Sequence, residues 1–168
     1  MNLEGARNLL KGLGHDAETV AAVMKNVDNV MADTAYSMDQ GAKVAANVMA
    51  AGIKPGKELE YTLGLIADTA TVSGRSLDEI GDIFNKVGSA GKMTGREMNQ
   101  LHQSGIPILE MLANSTGKSK EEVQKLVSAG KIGFAEFQDA LEKGLGGAAN
   151  AMNDTFESAT KKTVRLEG

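Results

Sequence analysis

The sequence lacks cysteine and tryptophan, and it contains only two histidines and two prolines. Without cysteine there can be no disulfide, thiolate metal site or cysteine nucleophile, and such a chain fits a reducing cytoplasm. Aromatic residues make up only 4% of the chain. The core must therefore consist mainly of small and flexible aliphatic side chains, which pack more loosely than aromatic ones.

Neither sign of charge dominates, because 18 Lys and Arg face 22 Asp and Glu, for a net charge of −4. No basic cluster is broad enough to neutralise a run of phosphates, so direct nucleic-acid contact is disfavoured. Lys161, Lys162 and Arg165 gather near the end, where cations complement the carbonyl end of a helix. Glu4 and Arg7 interrupt the apolar run that a signal peptide needs, and no uncharged run is as long as a membrane span. We expect a soluble chain.

Apolar residues recur with helical spacing throughout, and no stretch shows the alternation typical of strands, so we predict an all-α fold. Between Asp16 and Ala51 the recurrence is heptad-like. Its two seven-residue series are Ala17, Met24, Met31, Met38 and Ala45, and Val20, Val27, Thr34, Gly41 and Val48. This stripe faces either the core, which we favour, or another copy of the chain. Asp33, Asp39 and Gly41 have low helix propensity, so the segment forms either one helix or two.

Glycine, proline and hydroxyl residues mark the boundaries of the other helices. Residues 52–56 (GIKPG) stop one helix, and the next should begin near Lys57. Its buried face is predicted to contain Leu59, Leu63, Ile66, Ala67 and Ala70. Three later starts carry the pattern of a capping box, namely Ser76 with Glu79, Thr94 with Glu97, and Ser119 with Glu122.

Further boundaries follow toward the end of the chain. Gly105 should end one short helix, and Pro107 suits the first turn of the next, whose buried stripe would be Ile108, Leu109 and Leu112. A glycine-rich joint at residues 144–147 precedes a final helix from about Ala148 to Arg165. We predict a compact bundle of eight to ten short helices. Residues 1–168 would form a single domain, with two lobes, 1–53 and 54–168, as the alternative.

Two segments imitate ligand sites without completing them. Residues 116–119 (TGKS) copy the end of a phosphate-binding loop, but Leu112 stands where that loop needs glycine, and Ser119 is already explained as a helix cap. Gly130, Ile132 and Glu136 copy part of a calcium-binding loop, but Lys125, Val127 and Ala129 occupy positions that should supply oxygen ligands. We interpret the second segment as a turn whose Ile132, Phe134 and Phe137 fill the core.

The remaining polar residues do not form a reactive set. Neither His15 nor His102 has a second histidine or a carboxylate at metal-binding spacing, and no glycine-flanked serine suggests a nucleophile. The acidic pairs Asp78–Glu79 and Glu121–Glu122 lie in first helical turns, where negative charge is favourable. We predict no catalytic residue, no bound metal and no cofactor, and hence a protein that is not an enzyme.

From about Tyr36 to Val164 the chain resembles the conserved N-terminal domain of phage tail tape measure proteins. The most specific stretches are residues 94–101 (TGREMNQL), 104–108 (SGIPI) and 112–118 (LANSTGK). The resemblance continues through 121–123 (EEV), 130–132 (GKI), Phe134, Phe137, Ala140, Leu141, 144–149 and 154–157 (DTFE). Upstream, residues 50–56 (AAGIKPG) and 67–76 (ADTATVSGRS) match as well, whereas residues before about Asp33 match only loosely.

This resemblance implies a structural module of a phage or prophage tail, involved in tail assembly and in determining tail length. Its implied partners are copies of itself, tail-assembly chaperones and tail-tube proteins, and its implied location is the virion tail after synthesis in the bacterial host cytoplasm. Members of the family are usually much longer, so we expect this chain to be a folded piece of a larger protein.

A second class of function stays open at this point. A stand-alone helical adaptor or secreted helical effector from a bacterium would use the methionine-bearing face to bind a partner helix. A divergent hydrolase would instead require a pocket of coupled titratable groups.

Overall fold

Short helices joined by tight turns make up the described part of the chain. The computed structural model describes residues 3–12, 14–146 and 148–149. Its helices are α1 (Leu3–Gly12), α2 (Ala17–Met31), α3 (Met38–Ala50), α4 (Lys57–Ser73), α5 (Leu77–Ala90), α6 (Gly95–Gln103), α7 (Ile108–Thr116), α8 (Lys120–Ser128) and α9 (Phe134–Leu145). Within these described ranges the only extended pairing is a single antiparallel bridge between Lys92 and Gly133. The prediction of a compact all-α bundle is confirmed.

The heptad-like segment forms two helices rather than one, because α2 ends at Met31 and α3 begins at Met38. A reciprocal capping box starts α3. The Gln40 backbone N–H donates to Ser37 Oγ at 3.2 Å, and the Ser37 backbone N–H donates to Gln40 Oε1 at 2.9 Å. The Thr34 hydroxyl donates to the Met31 carbonyl oxygen at 2.8 Å and so pairs one of the last carbonyls of α2. Local side chains therefore decide where the segment breaks.

The two halves of the stripe face each other after the break. Val27 and Met31 on α2 are buried, and so are Gly41, Ala45 and Val48 on α3. A Cβ atom at Gly41 would lie 2.7 Å from both Val27 Cγ1 and Met31 Cγ, so only glycine allows this approach. The interpretation of the stripe as a core face is thus supported, although Ala17 is exposed and Thr34 is half-buried.

Helix α4 lies among the other helices and is buried on most of its surface. It packs against α2, α3, α5 and α9. It begins at Lys57 as predicted, after a turn in which Gly52 and Gly56 adopt positive φ angles of 103° and 113°. All five residues predicted for its buried face are buried. Thr62, Asp68 and Thr69 are buried as well, which the helical pattern does not predict.

The three predicted capping boxes start helices at the predicted places, but only one is complete. Thr94 and Glu97 form the reciprocal arrangement at α6, with the Thr94 backbone N–H donating to Glu97 Oε1 at 2.9 Å. Ser76 and Ser119 accept the backbone N–H groups of Glu79 and Glu122 at 3.1 and 3.2 Å. The Glu79 and Glu122 carboxylates accept from the hydroxyl groups of these serines and not from the backbone N–H groups of the serines. These two boxes are therefore half formed.

Aromatic rings pack the core where α5 meets α9. The Phe84 ring centroid lies 5.1 Å from that of Phe137 and 6.4 Å from that of Phe134, both edge to face. Phe134 and Phe137 stack at 6.3 Å. Ile132 and Phe137 are fully buried and Phe134 is half-buried, in accord with the predicted core role of this turn. Of the predicted final helix, only Ala148 and Ala149 lie within the described residues, and both are helical.

Candidate functional site

The segment that imitates a phosphate loop is the turn between α7 and α8. Gly117 has a φ angle of 71° and caps the end of α7, with its backbone N–H donating to the Ala113 carbonyl at 3.0 Å. Lys118 is exposed, and Ser119 begins α8. A helix precedes the turn where a phosphate loop requires a strand. The glycine and serine are therefore used in ending one helix and starting another.

The segment that imitates a calcium loop is likewise committed to helix ends. Glu136 Oε1 accepts the backbone N–H of Gly133 at 3.2 Å, at the start of α9. Gly130 has a φ angle of 69°, and the Lys92 side chain passes so close that a Cβ there would lie 3.2 Å from Lys92 Nζ. Thus Glu136 satisfies a backbone donor, and an ammonium group already lies beside the turn.

The histidines have different surroundings. His15 is half-buried and precedes Asp16, which caps α2 by accepting the Thr19 backbone N–H at 2.7 Å. This hydrogen bond holds the pKa of Asp16 below its ordinary value. His102 is exposed, and its Nε2 accepts the backbone N–H of Leu109 at 3.4 Å. Across the described residues, no group of three or more His, Asp or Glu is placed to hold a metal ion.

The bond from Leu109 to His102 compensates for the way α7 begins. Pro107 lies just before the first helical residue, Ile108, rather than in the first turn as predicted, and it offers no side-chain cap. Helix starts leave backbone N–H groups without intrahelical partners. His102, seven residues upstream of Leu109, supplies one acceptor. Leu109 is half-buried, whereas the other two residues of the predicted stripe, Ile108 and Leu112, are fully buried.

A buried asparagine on α2 plays a similar role for α4. The Asn26 side chain is 7% exposed; its Oδ1 accepts the Gly56 backbone N–H at 2.9 Å, and its Nδ2 donates to Glu60 Oε2 at 2.7 Å. Gly56 precedes α4 and has no side chain with which to cap it. Sequence reasoning missed Asn26, and the only local signal was a helix start that lacks a hydroxyl or carboxylate cap.

Polar contacts also join α4 to α9 and to the residues that follow it. The buried Thr62 hydroxyl donates to Gln138 Oε1 at 2.7 Å, and Tyr61 lies near the Glu142 carboxylate. Partial burial raises the pKa of Tyr61 well above its ordinary value of 10, and the interaction with the Glu142 carboxylate raises it further. Asp68 Oδ1 accepts the Ala149 backbone N–H at 3.0 Å.

Several clefts on the described surface are open to solvent. One, of about 490 Å³, lies between α1, α3 and α5 and has Leu9, Ala46 and Ala50 as its apolar lining. Its polar residues are paired with each other, Lys43 with Asp78 at 3.3 Å and Asn47 with Asp82 at 2.8 Å. Another, of about 290 Å³, lies between α5 and α6 and includes Arg75, Glu79 and Gln100.

Membrane insertion finds no support in the described helices, none of which combines the length and the apolar character needed to cross a bilayer.

A family model described as "Tape measure protein" matches residues 1–164. Comparisons with curated proteins and with solved structures gave no significant match. The family match begins at residue 1, whereas the specific resemblance seen in the sequence begins only at about Tyr36. Because this match spans nearly the whole chain, the protein belongs to the tape measure protein family, which is a family of structural components of phage tails.

Proposed function

We propose that this chain is a folded module of a tail tape measure protein that takes part in tail assembly and in determining tail length. The observation that carries the proposal is the family match over residues 1–164. The proposed partners are copies of the chain itself, tail-assembly chaperones and tail-tube proteins, with synthesis in the host cytoplasm before entry into the tail.

The module is proposed to act without catalysis. Three groups of the kinds that serve as nucleophile, ligand or base in other proteins are engaged at helix ends here: Ser119 caps α8, Glu136 bonds Gly133, and His102 bonds Leu109. Each of these bonds pairs a backbone N–H at a helix start. Purified chain should accordingly release no fragments from peptidoglycan or from peptide substrates. Turnover of either would contradict the proposal.

In this proposal the module is not itself the extended ruler. As one continuous helix the chain would reach about 250 Å at a rise of about 1.5 Å per residue. Instead α3 packs on α5, α7 on α9, and α4 on both α2 and α9, so the described residues fold back on one another. Length would then be measured by other parts of a parent protein, and this module would supply a folded contact unit.

Deletion tests whether the module is needed. In a phage whose tail gene encodes this chain, an in-frame deletion of the codons for residues 3–149 should leave heads intact and abolish tails of normal length, as seen by electron microscopy. A matched control, Lys125→Ala at an exposed position of α8, should assemble normally. Normal tails in the deletion strain would overturn the proposal.

Insertion separates a folded module from a ruler. A helical segment of 21 residues placed between Gly117 and Lys118 enters the turn between α7 and α8, outside both helices. If the chain were extended in the tail, the insertion would lengthen the tail by roughly 30 Å. We expect no change in tail length. A lengthening of that size would show that this region acts as the ruler.

A further inference from the structure

Asp68 is a carboxylate in the middle of α4, where only 7% of the residue is exposed. Its Oδ1 accepts the backbone N–H of Ala149 at 3.0 Å, across 81 residues of sequence. Ala149 itself is 4% exposed, so the contact is closed to solvent from both sides. A carboxylate is costly to bury unless hydrogen bonds compensate for its lost hydration, and this contact supplies one of them.

Helix α9 ends shortly before this contact. Near the end of α9, a Cβ at Gly144 would overlap Met111 Cε of α7, so the glycine allows close packing of α9 on α7. The helix ends at Leu145, and Gly146 adopts an extended conformation with φ −51° and ψ 130°. Ala148 and Ala149 are helical again. The turn therefore separates α9, which is fixed by its packing, from a new helical stretch.

The new helical stretch begins with backbone N–H groups that need acceptors outside the helix. Backbone N–H groups in the first turn of a helix have no partners within that helix, and a negative charge at this end is favourable. Asp68 meets this need for Ala149 from a different helix, in the way that an N-cap residue does within one helix. The methyl group of Ala149 offers little apolar area of its own, so the carboxylate is the specific part of the contact.

We propose that Asp68 is an anchor that fixes the direction of the chain from the end of α9 to Ala149. Together with the bond from Thr62 to Gln138, it gives α4 two buried polar contacts, one with α9 and one with the residues after it. Gly146 has no side chain that could hold this turn, and the bond from Ala149 to Asp68 ties the residues after it to α4. This role does not depend on the proposed function in the tail.

Amide hydrogen exchange on the purified 168-residue chain, read by NMR, tests the anchor. In the unmodified chain the Ala149 amide should exchange at least about tenfold more slowly than an unstructured amide, since hydrogen bonds to charged groups contribute enough for such a factor. Unprotected exchange at Ala149 would overturn the proposal without any variant.

Variants then show whether Asp68 is responsible for that protection. Asp68→Ala should accelerate exchange at Ala149 about tenfold or more while α2 and α3 keep their protection, and Asp68→Asn, which retains a side-chain carbonyl acceptor, should show a smaller acceleration. The control Asp82→Ala, which removes an exposed carboxylate bonded to Asn47, should change the Ala149 rate less than about twofold. Exchange at Ala149 that is unchanged in both Asp68 variants would contradict the anchor. If Asp68→Ala fails to fold, Asp68→Asn decides the question by the same readout.

A distance measurement tests direction itself. Because the chain has no cysteine, spin labels can be attached to Ser128→Cys and Ala148→Cys alone. We expect a single narrow distance distribution in the otherwise unmodified chain and a clearly broader one after Asp68→Ala. Distributions of equal width would mean that other contacts set the direction.

Discussion

The α2–α3 pair and the α6–α9 region are both made of short helices, but they are held together in different ways. In the pair, two helices approach closely at Gly41, against Val27 and Met31. In the α6–α9 region, Phe134 and Phe137 of α9 pack with Phe84 of α5, and glycine, proline and hydroxyl residues separate the helices. In the α2–α3 pair, the spacing of apolar residues predicts the buried face but not the break between the helices. In the α6–α9 region, the glycine, proline and hydroxyl residues predict where the helices end.

A folded-back stripe explains why the first region was ambiguous. The seven-residue series continues across the break, because residues on both sides of the turn face the same interface between α2 and α3. A continuous helix and a helical hairpin therefore give the same apolar pattern. The decisive signal was Ser37 with Gln40, a capping pair whose glutamine stands where the three recognised pairs have glutamate.

Removing an aromatic ring should have the largest effect. Phe137→Ala should lower the free energy of unfolding by about 3–5 kcal/mol, because the ring is fully buried and contacts two others. Phe134→Ala, at a half-buried position in the same cluster, should cost less. Urea unfolding followed by circular dichroism measures both. Equal losses, or a loss below about 1 kcal/mol for Phe137→Ala, would mean that the aromatic cluster does not organise this region.

Filling the contact at Gly41 should have the next largest effect. Gly41→Val places atoms against Val27 and Met31 and should cost about 1–3 kcal/mol. The matched control is Gly64→Ala in α4, where a Cβ meets open space, and this change should stabilise the chain by about 0.5–1 kcal/mol. If thermal unfolding shows the two variants to be equally stable, α2 and α3 do not approach as closely as described.

Removing caps should have a smaller effect. Ser37→Ala removes the hydroxyl of a complete capping box and should cost about 1 kcal/mol, whereas Ser119→Ala removes a half-formed one and should cost a few tenths less. The comparison tests whether reciprocity matters at the break between α2 and α3. A Ser37→Ala variant as stable as the original chain would show that the break is set by packing alone.

Raising the pH should have the smallest effect on stability. It acts through Tyr61 on α4, which lies near Glu142 on α9. Since the pKa of Tyr61 is raised in the folded chain, the unfolded chain loses this proton first as the pH rises past 10, and stability falls from that pH upward. Glu142→Gln should bring phenolate formation at Tyr61 to lower pH, as followed by ultraviolet absorbance with Tyr61→Phe as the reference. An unchanged titration would exclude Glu142 as a cause.

Local patterns predicted helix starts well and long-range polar contacts poorly. The starts at Lys57, Ser76, Thr94 and Ser119 follow from two to four adjacent residues, so the sequence was sufficient. The contacts of Asn26 with Gly56 and of Asp68 with Ala149 cross 30 and 81 residues, and nothing near either side chain identifies its partner. Their burial in helices was also unexpected, because polar residues usually mark the exposed face.

The most direct test of a folded module, as opposed to an extended ruler, is small-angle X-ray scattering of the purified 168-residue chain. A compact chain of this length should have a radius of gyration of about 15 Å. A radius of gyration several times larger, with a maximum dimension approaching about 250 Å, would show an extended helix and contradict the account.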